Sequence, residues 1–169
     1  GLGGGAAAWG VGTCHGQGRR QLRADPGVAV LRRGFGSCDA EDSRRIVRRL
    51  LQRAADDGAW DPGDADTFRA RVRSVAQRIA LMKDSLVLPD QAEAVLDSQI
   101  ARFGAKTDED LMAWHMAAAL YPAYQAALRE VNCADFGDLL LWPTVTMLRD
   151  EQYRLDWARR FDAIRADEV

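Results

Sequence analysis

The sequence predicts an all-α protein, a helical bundle with one short strand at each end. Three observations carry that expectation. Apolar residues recur in steps of three and four through most of the chain. Capping residues stand ahead of those runs, and glycine or proline follows them. The two stretches that read as extended lie near the termini. At 169 residues, 47% hydrophobic and 28% charged, the chain suits one domain with a core of its own.

Taken in order, Gly1 to Ala8 reads as a flexible lead, Trp9 to Thr13 as a short strand and Arg19 to Ala24 as a short helix. Asp25-Pro26-Gly27 is a turn, Val28 to Arg33 is open to either state, and Gly34 to Cys38 reads as loop. Asp39 is an expected N-cap with Asp42 at the capping-box position, and Ile46, Val47, Leu50, Leu51 and Ala54 form the face that follows, up to Gly58. Phe68, Val72, Val75, Ile79 and Met82 mark a second amphipathic helix. Pro89 suits a first helical position, ahead of Ala92, Val95, Leu96, Gln99, Ile100 and Phe103. Thr107 caps a helix through Leu111, Trp114, Ala118, Tyr121, Tyr124 and Leu128, which Pro122 should kink or split. Asp135 opens a helix holding Leu139, Leu140 and Leu148, interrupted by Pro143. Tyr153, Trp157 and Phe161 line the last helix, ahead of a strand at Ala163 to Ala166. The spacing predicts helices near 40–56, 65–84, 90–103, 108–130, 136–148 and 151–161.

Net charge is −2, which selects no partner, but its distribution is uneven. From Arg19 to Arg53 stand ten arginines against Asp25, Asp39, Glu41 and Asp42. Such a block suits a surface that faces phosphates. An equal alternative is that arginine simply replaces lysine throughout, since Lys83 and Lys106 are the only lysines among 23 Lys and Arg. Cys14, Cys38 and Cys133 are far apart with no C-x-x-C, and His15 and His115 are the only histidines. Zinc is therefore disfavoured, and the cysteines read as reduced, half-buried thiols. No apolar run reaches about 18 residues, the length of a membrane span. Gly1 to Ala8 lacks the basic start and Leu-rich centre of a signal peptide. A cytoplasmic protein is expected.

Four motifs follow one another. Gly12-Thr13-Cys14-His15-Gly16 leads into Arg20, Leu22, Arg23 and Asp25. Phe35, Asp39, Glu41 and Asp42 come next. Tyr121, Tyr124 and Leu128 precede Asn132-Cys133-Ala134-Asp135-Phe136-Gly137-Asp138-Leu139-Leu140. Arg160, Phe161, Ile164, Asp167 and Glu168 stand last. In this order and spacing the chain resembles UvrD/Rep-type superfamily-one DNA helicases, from their GTFHS motif through the helical 1B domain to the DExx (Walker B) motif. No G-x-x-x-x-G-K-S/T phosphate loop occurs.

The resemblance implies a fragment of an ATP-dependent 3′–5′ DNA helicase. Residues 1–25 would belong to the RecA-like 1A core with its DNA-contact motif, 26–161 to the helical 1B-like domain, and 162–169 to the Walker B strand of the core. It implies DNA contacts by Thr13, His15, Arg20 and Arg23. In a complete motor, Asp167 would hold Mg²⁺ through its water shell and Glu168 would polarise the attacking water. ATP and Mg²⁺ are then cofactors of the whole motor; none is expected for this chain alone, which should not hydrolyse ATP. The implied partners are DNA, as single strand and duplex junction, and the remaining helicase domains. The alternative is a stand-alone or decayed helical interaction module derived from a helicase.

The chain departs from the family pattern at Cys14, Gly16, Gly36-Ser37-Cys38, Ala134 and Gly137, and Arg165 interrupts the apolar strand ahead of Asp167. Asp135 and Asp138 read as helix-capping residues. Trp114, Tyr121, Tyr124, Trp157 and Phe161 read as core in preference to a base-stacking platform. Arg44, Arg45, Arg48 and Arg49 lie opposite the Ile46/Leu50 face, as solvated surface or as phosphate contacts.

Overall fold

A computed structural model describes residues 35–104 and 107–163. Strand β1 (Gly36–Cys38) leads into α1 (Ala40–Asp56) and α2 (Ala65–Asp84). A 3₁₀ turn at Pro89–Gln91 precedes α3 (Ala92–Phe103). Then come α4 (Asp108–Glu130), β2 (Cys133–Asp135), α5 (Phe136–Arg149) and α6 (Glu151–Ala158). Among the described residues the protein is all-α apart from one short strand pair, and the helix bounds fall within a few residues of those the periodicity predicts.

Five of the six described helices start on a side-chain cap, and α3 instead follows the Pro89 3₁₀ turn. The Asp39 carboxylate accepts the backbone N–H groups of Glu41 and Asp42, and Asp42 returns the favour to the Asp39 N–H. Asp64 accepts from Thr67, the Thr107 hydroxyl from Asp110, and Asp150 from Tyr153. Asp135 and Asp138 form a second reciprocal capping box on α5. Caps of this kind stabilise a helix by about 1 kcal/mol each. Pro122 does not split α4, which runs unbroken past it. Pro122 is exposed and lacks only the N–H that would pair with the Ala118 carbonyl. Likewise α5 continues through Pro143.

Helix α4 is central, touching α1, α2, α3, the 3₁₀ turn and β2. Its alanines at 113, 117 and 118 are buried, which lets neighbours approach closely. Around it pack Ile46, Val47 and Leu51 of α1, Val72, Val75, Ile79 and Met82 of α2, and Leu96 of α3. Leu88 packs with Leu141, Trp142 and Val145 of α5 in a smaller cluster. The Trp60 indole donates to the Leu51 carbonyl at 3.1 Å and stacks on Phe68, closing the α1–α2 turn.

Two readings of the sequence are corrected here. Gly36–Cys38 is a strand and not a loop; it pairs in parallel with Cys133–Asp135 in the register Gly36↔Cys133, Ser37↔Ala134 and Cys38↔Asp135. Three residues of Gly-Ser-Cys carry no alternation, so only the distant partner defines them. Nor are all cysteines thiols. Cys38 and Cys133 form a disulfide, their Cα atoms 5.9 Å apart across a separation of 95 residues. The strand expected at Trp9–Thr13 lies outside the described residues, as does that at Ala163–Ala166 beyond Ala163 itself.

Leu51 is fully buried and Leu148 is 69% exposed. Leu51→Ala should cost about 2–5 kcal/mol, read as a lowered urea midpoint at unchanged slope. Leu148→Ala should stay within about 0.5 kcal/mol. Equal effects of the two would contradict this core.

Candidate nucleic-acid interface and its buried charge cluster

Lys83 lies in the last turn of α2 with 1% of its surface exposed. Its ammonium Nζ is 2.6 Å from Asp135 Oδ2 and 2.8 Å from Asp138 Oδ1. The Tyr124 hydroxyl donates to Asp135 Oδ2 at 2.7 Å. Gln125 Nε2 and Trp142 Nε1 donate to Asp138 Oδ1 at 2.9 and 3.0 Å. The capping box supplies the rest: the Asp138 N–H to Asp135 Oδ1 at 2.8 Å and the Asp135 N–H to Asp138 Oδ2 at 3.4 Å. All four carboxylate oxygens are therefore occupied. One ammonium against two carboxylates leaves a negative excess, placed at the N-terminus of α5 where the helix dipole favours it.

Burial pushes the Asp138 carboxyl above its ordinary range, against the opposing pull of Lys83. Burial, with the two carboxylates beside them, also raises the Tyr121 and Tyr124 hydroxyls. Every carboxylate oxygen is taken and the cluster is buried, with only Gln125 Oε1 left without a partner, so the cluster is built to hold elements together and not to exchange protons with a substrate.

Gly137 belongs to the same arrangement. A Cβ there would sit 2.8 Å from Lys83 Cδ and 3.1 Å from Lys83 Cβ. Because Nζ is pinned by two carboxylates, the stem cannot swing aside freely. This accounts physically for glycine at a place where the helicase pattern has an Asp.

A different surface carries unneutralised charge. Arg45, Arg48, Arg49 and Arg53 of α1 line a groove of ≈ 640 Å³ with Gln52, Asp56 and Phe68. Arg45 pairs with Glu41 and Asp42 at 3.7 and 3.1 Å. Asp56 is engaged by Gln52 at 2.9 Å. Among the described residues, no ion pair holds Arg48, Arg49 or Arg53. All three are exposed. Guanidinium groups so placed suit planar, bidentate contacts with phosphate.

Thr13, His15, Arg20, Arg23, Asp167 and Glu168 lie outside the described residues. Asp135 and Asp138 do cap α5, but the sequence reading missed Lys83. A signal was available: one of only two lysines stands beside Met82, on the apolar side of an amphipathic helix. Tyr121 and Tyr124 are core residues, and Trp114 packs against the core beneath the Arg78 guanidinium. The core reading fails for the other two aromatics. Trp157 and Phe161 stack on each other at a centroid distance of 6.4 Å, with Phe161 46% exposed, because α6 buries none of its residues. Among the described residues, no three His, Cys, Asp or Glu side chains are grouped to hold a metal.

Lys83→Met should destabilise by about 3–5 kcal/mol, since it strands two buried carboxylates. Gly137→Ala should cost about 1–3 kcal/mol through overpacking against the Lys83 stem. Denaturant titration checks both; a neutral Gly137→Ala would show that the stem moves freely. Asp138 also gives a pH dependence. Folded Asp138 binds its proton more tightly than the unfolded side chain, so its stabilising contribution is complete below the ordinary value of 3.8. That contribution is lost as pH rises through the raised folded value. Asp138→Asn should remove this downward slope from midpoints measured across the acidic range.

The profile of the UvrD/REP helicase N-terminal domain matches residues 4–169. The chain is 32% identical over 141 residues to the ATP-dependent DNA helicase UvrD1 of Mycobacterium tuberculosis, covering 83% of this chain and 16% of that protein. It is 28% identical over 159 residues to DNA helicase II of Escherichia coli, covering 94% and 19%. It is 23% identical over 158 residues to the ATP-dependent DNA helicase Rep of Salmonella typhimurium, covering 94% and 20%. The chain thus spans 16–20% of the length of these relatives. No solved structure matches it. With the helicase motifs in order and the family profile extending over nearly its whole length, the chain belongs to the UvrD/REP helicase N-terminal domain family.

Proposed function

We propose that this chain is the DNA-contacting helical part of an ATP-dependent 3′–5′ DNA helicase, acting on a single strand and its duplex junction beside the remaining motor domains in the cytoplasm. The observation that carries this reading is the arginine face of α1, where Arg48, Arg49 and Arg53 border one groove without carboxylate partners among the described residues. Residues 26–161 correspond to the 1B-like domain, with 1–25 and 162–169 belonging to the 1A core. Thr13, His15, Arg20 and Arg23 add backbone contacts in this reading. No described helix is long and apolar enough to cross a membrane.

ATP and Mg²⁺ belong to the complete motor. The chain has no phosphate loop. The buried carboxylate pair, Asp135 and Asp138, is already filled by Lys83 and three side-chain hydrogen-bond donors beside it. The described residues therefore do not fit a metal–nucleotide, and no hydrolytic step is assigned to them. Asp167 and Glu168 take their Walker B roles only when the other domains are present.

Anisotropy of a labelled oligonucleotide at several salt concentrations tests the reading. Binding should weaken as salt rises, because phosphate contacts release counterions. Arg48→Ala, Arg49→Ala and Arg53→Ala should each lower affinity for all sequences alike and flatten the log–log salt slope by roughly one unit. Arg45→Ala should do less, since Arg45 is already paired. His15→Ala, Arg20→Ala and Arg23→Ala should also weaken binding. Failure to bind at low salt, or binding indifferent to salt, would favour a helical interaction module instead.

Phosphate release by this chain alone should stay at background with or without single-stranded DNA. Hydrolysis that disappears in Glu168→Gln would refute that assignment.

A further inference from the structure

The strands β1 and β2 are three residues each, too short for their backbone hydrogen bonds to hold them alone. The Cys38–Cys133 disulfide ties them together. Each strand also runs directly into a structural junction. β1 leads straight into Asp39, the cap of the arginine-bearing α1, and β2 ends in Asp135, which holds Lys83.

The two sulfurs differ in access. Cys133 is 8% exposed. Cys38 is half-buried and lines a groove of ≈ 650 Å³ with Ser43, Arg44 and Arg73. Cys38 immediately precedes the N-cap of α1, where the helix dipole and nearby guanidinium groups favour a thiolate. The neighbouring Asp39 carboxylate opposes this, but it is taken up by the Glu41 and Asp42 N–H groups.

We propose that Cys38 and Cys133 form a redox-responsive modification site that exchanges with small-molecule disulfides and dithiols and sets how firmly β1 is held against β2. The Cys38 thiolate attacks one sulfur of the small disulfide and breaks its S–S bond. The first small thiolate leaves and takes up a proton, and Cys38 carries a mixed disulfide. Cys133, its proton lost to solvent, attacks the Cys38 sulfur. The protein disulfide forms and the second small thiol departs. Two electrons have passed from the cysteine pair to the small disulfide. A dithiol drives the exchange in reverse. The biological sense rests on the DNA-motor reading, which places the chain in a thiol-reducing compartment where a closed disulfide reports oxidation; the chemistry does not.

The test uses the full chain carrying Cys14→Ser, so that only this thiol pair remains. Oxidised glutathione should remove both free thiols together, leaving a monomer without bound glutathione. The melting temperature should rise by about 10 °C, and amide exchange at Gly36–Cys38 should slow. Dithiothreitol should reverse every change. Cys133→Ser should retain one glutathione on Cys38, while Cys38→Ser should react far more slowly. If either serine variant fails to fold, the unaltered pair in its two states decides. Two persistent free thiols, crosslinks between chains, or equal melting temperatures would overturn the proposal. Glutathione trapped equally fast by Cys38→Ser would overturn the assigned order of attack. Reversible thiol cycling in a chain that binds no DNA would support this site while refuting the DNA reading.

Discussion

The bridge from Lys83 to Asp135 and Asp138 is the interaction on which the rest of the structure depends. A buried ammonium costs several kcal/mol unless its protons and the facing lone pairs are all engaged. Here two protons meet carboxylates, and the ammonium lies 5.0 and 5.9 Å from the ring centroids of Tyr124 and Tyr121. Tyr124, Gln125 and Trp142 complete the carboxylate oxygens. One cluster therefore joins α2, α4, β2 and α5. Sliding any of these elements by a turn would leave a buried charge unpaired, so the network selects one packing among the several that apolar contacts alone would allow.

That constraint explains features that look unrelated. All three residues of β2 are buried, which a two-stranded sheet of this size does not need for its own sake. The strand is buried because Asp135 must reach Lys83. Asn132, just before it, takes a left-handed backbone with φ of 51°, a conformation that asparagine tolerates better than most side chains. Gly137, just after it, clears the path of the Lys83 stem. Because β2 is fixed in this way, β1 has a firm partner despite its Gly-Ser-Cys sequence, and the start of α1 is placed relative to α5.

What was legible in the sequence is what local physics encodes. The helices followed from apolar spacing, and their starts from Asp39, Thr107 and Asp135, since caps act within three residues. The strand pair, the disulfide and Lys83 depend on partners far along the chain: 95 residues for the cysteines, 52 and 55 for Lys83 with its carboxylates. No periodicity reaches that far. Asp135 and Asp138 show the boundary clearly. The sequence marks them as helix-capping residues, and the same geometry that turns their oxygens toward the backbone also presents oxygens to Lys83, which the spacing could not show. Trp157 and Phe161 differ in the opposite sense: they keep the helical period, yet α6 buries none of its residues fully. For Thr13, His15, Arg20, Arg23, Asp167 and Glu168 the reading rests on motif order and on the family profile over 4–169.

Arginine is abundant in this chain, and the buried and exposed positions divide between lysine and arginine in a physically sensible way. Lysine occupies the buried site, where a compact ammonium bridges two carboxylates whose oxygens are already shared with other donors. A guanidinium there would bring five N–H donors to acceptors that are nearly full. Arginine occupies the open face of α1. A merely solvated face would be expected to interleave acids with its bases, as Arg45 does with Glu41 and Asp42. Between Asp42 and Asp56 the interleaving stops. Arg45, Arg49 and Arg53 stand four residues apart, with Arg48 between the first two, and like charges at that spacing destabilise a helix by a few tenths of a kcal/mol per pair, on the order of the gain from opposite ones. Glu41 and Asp42 offset Arg45, and Asp56 lies on the same groove, but no ion pair among the described residues holds Arg48, Arg49 or Arg53. A phosphate backbone laid along the groove would relieve that repulsion, at the cost of making the contact sensitive to salt.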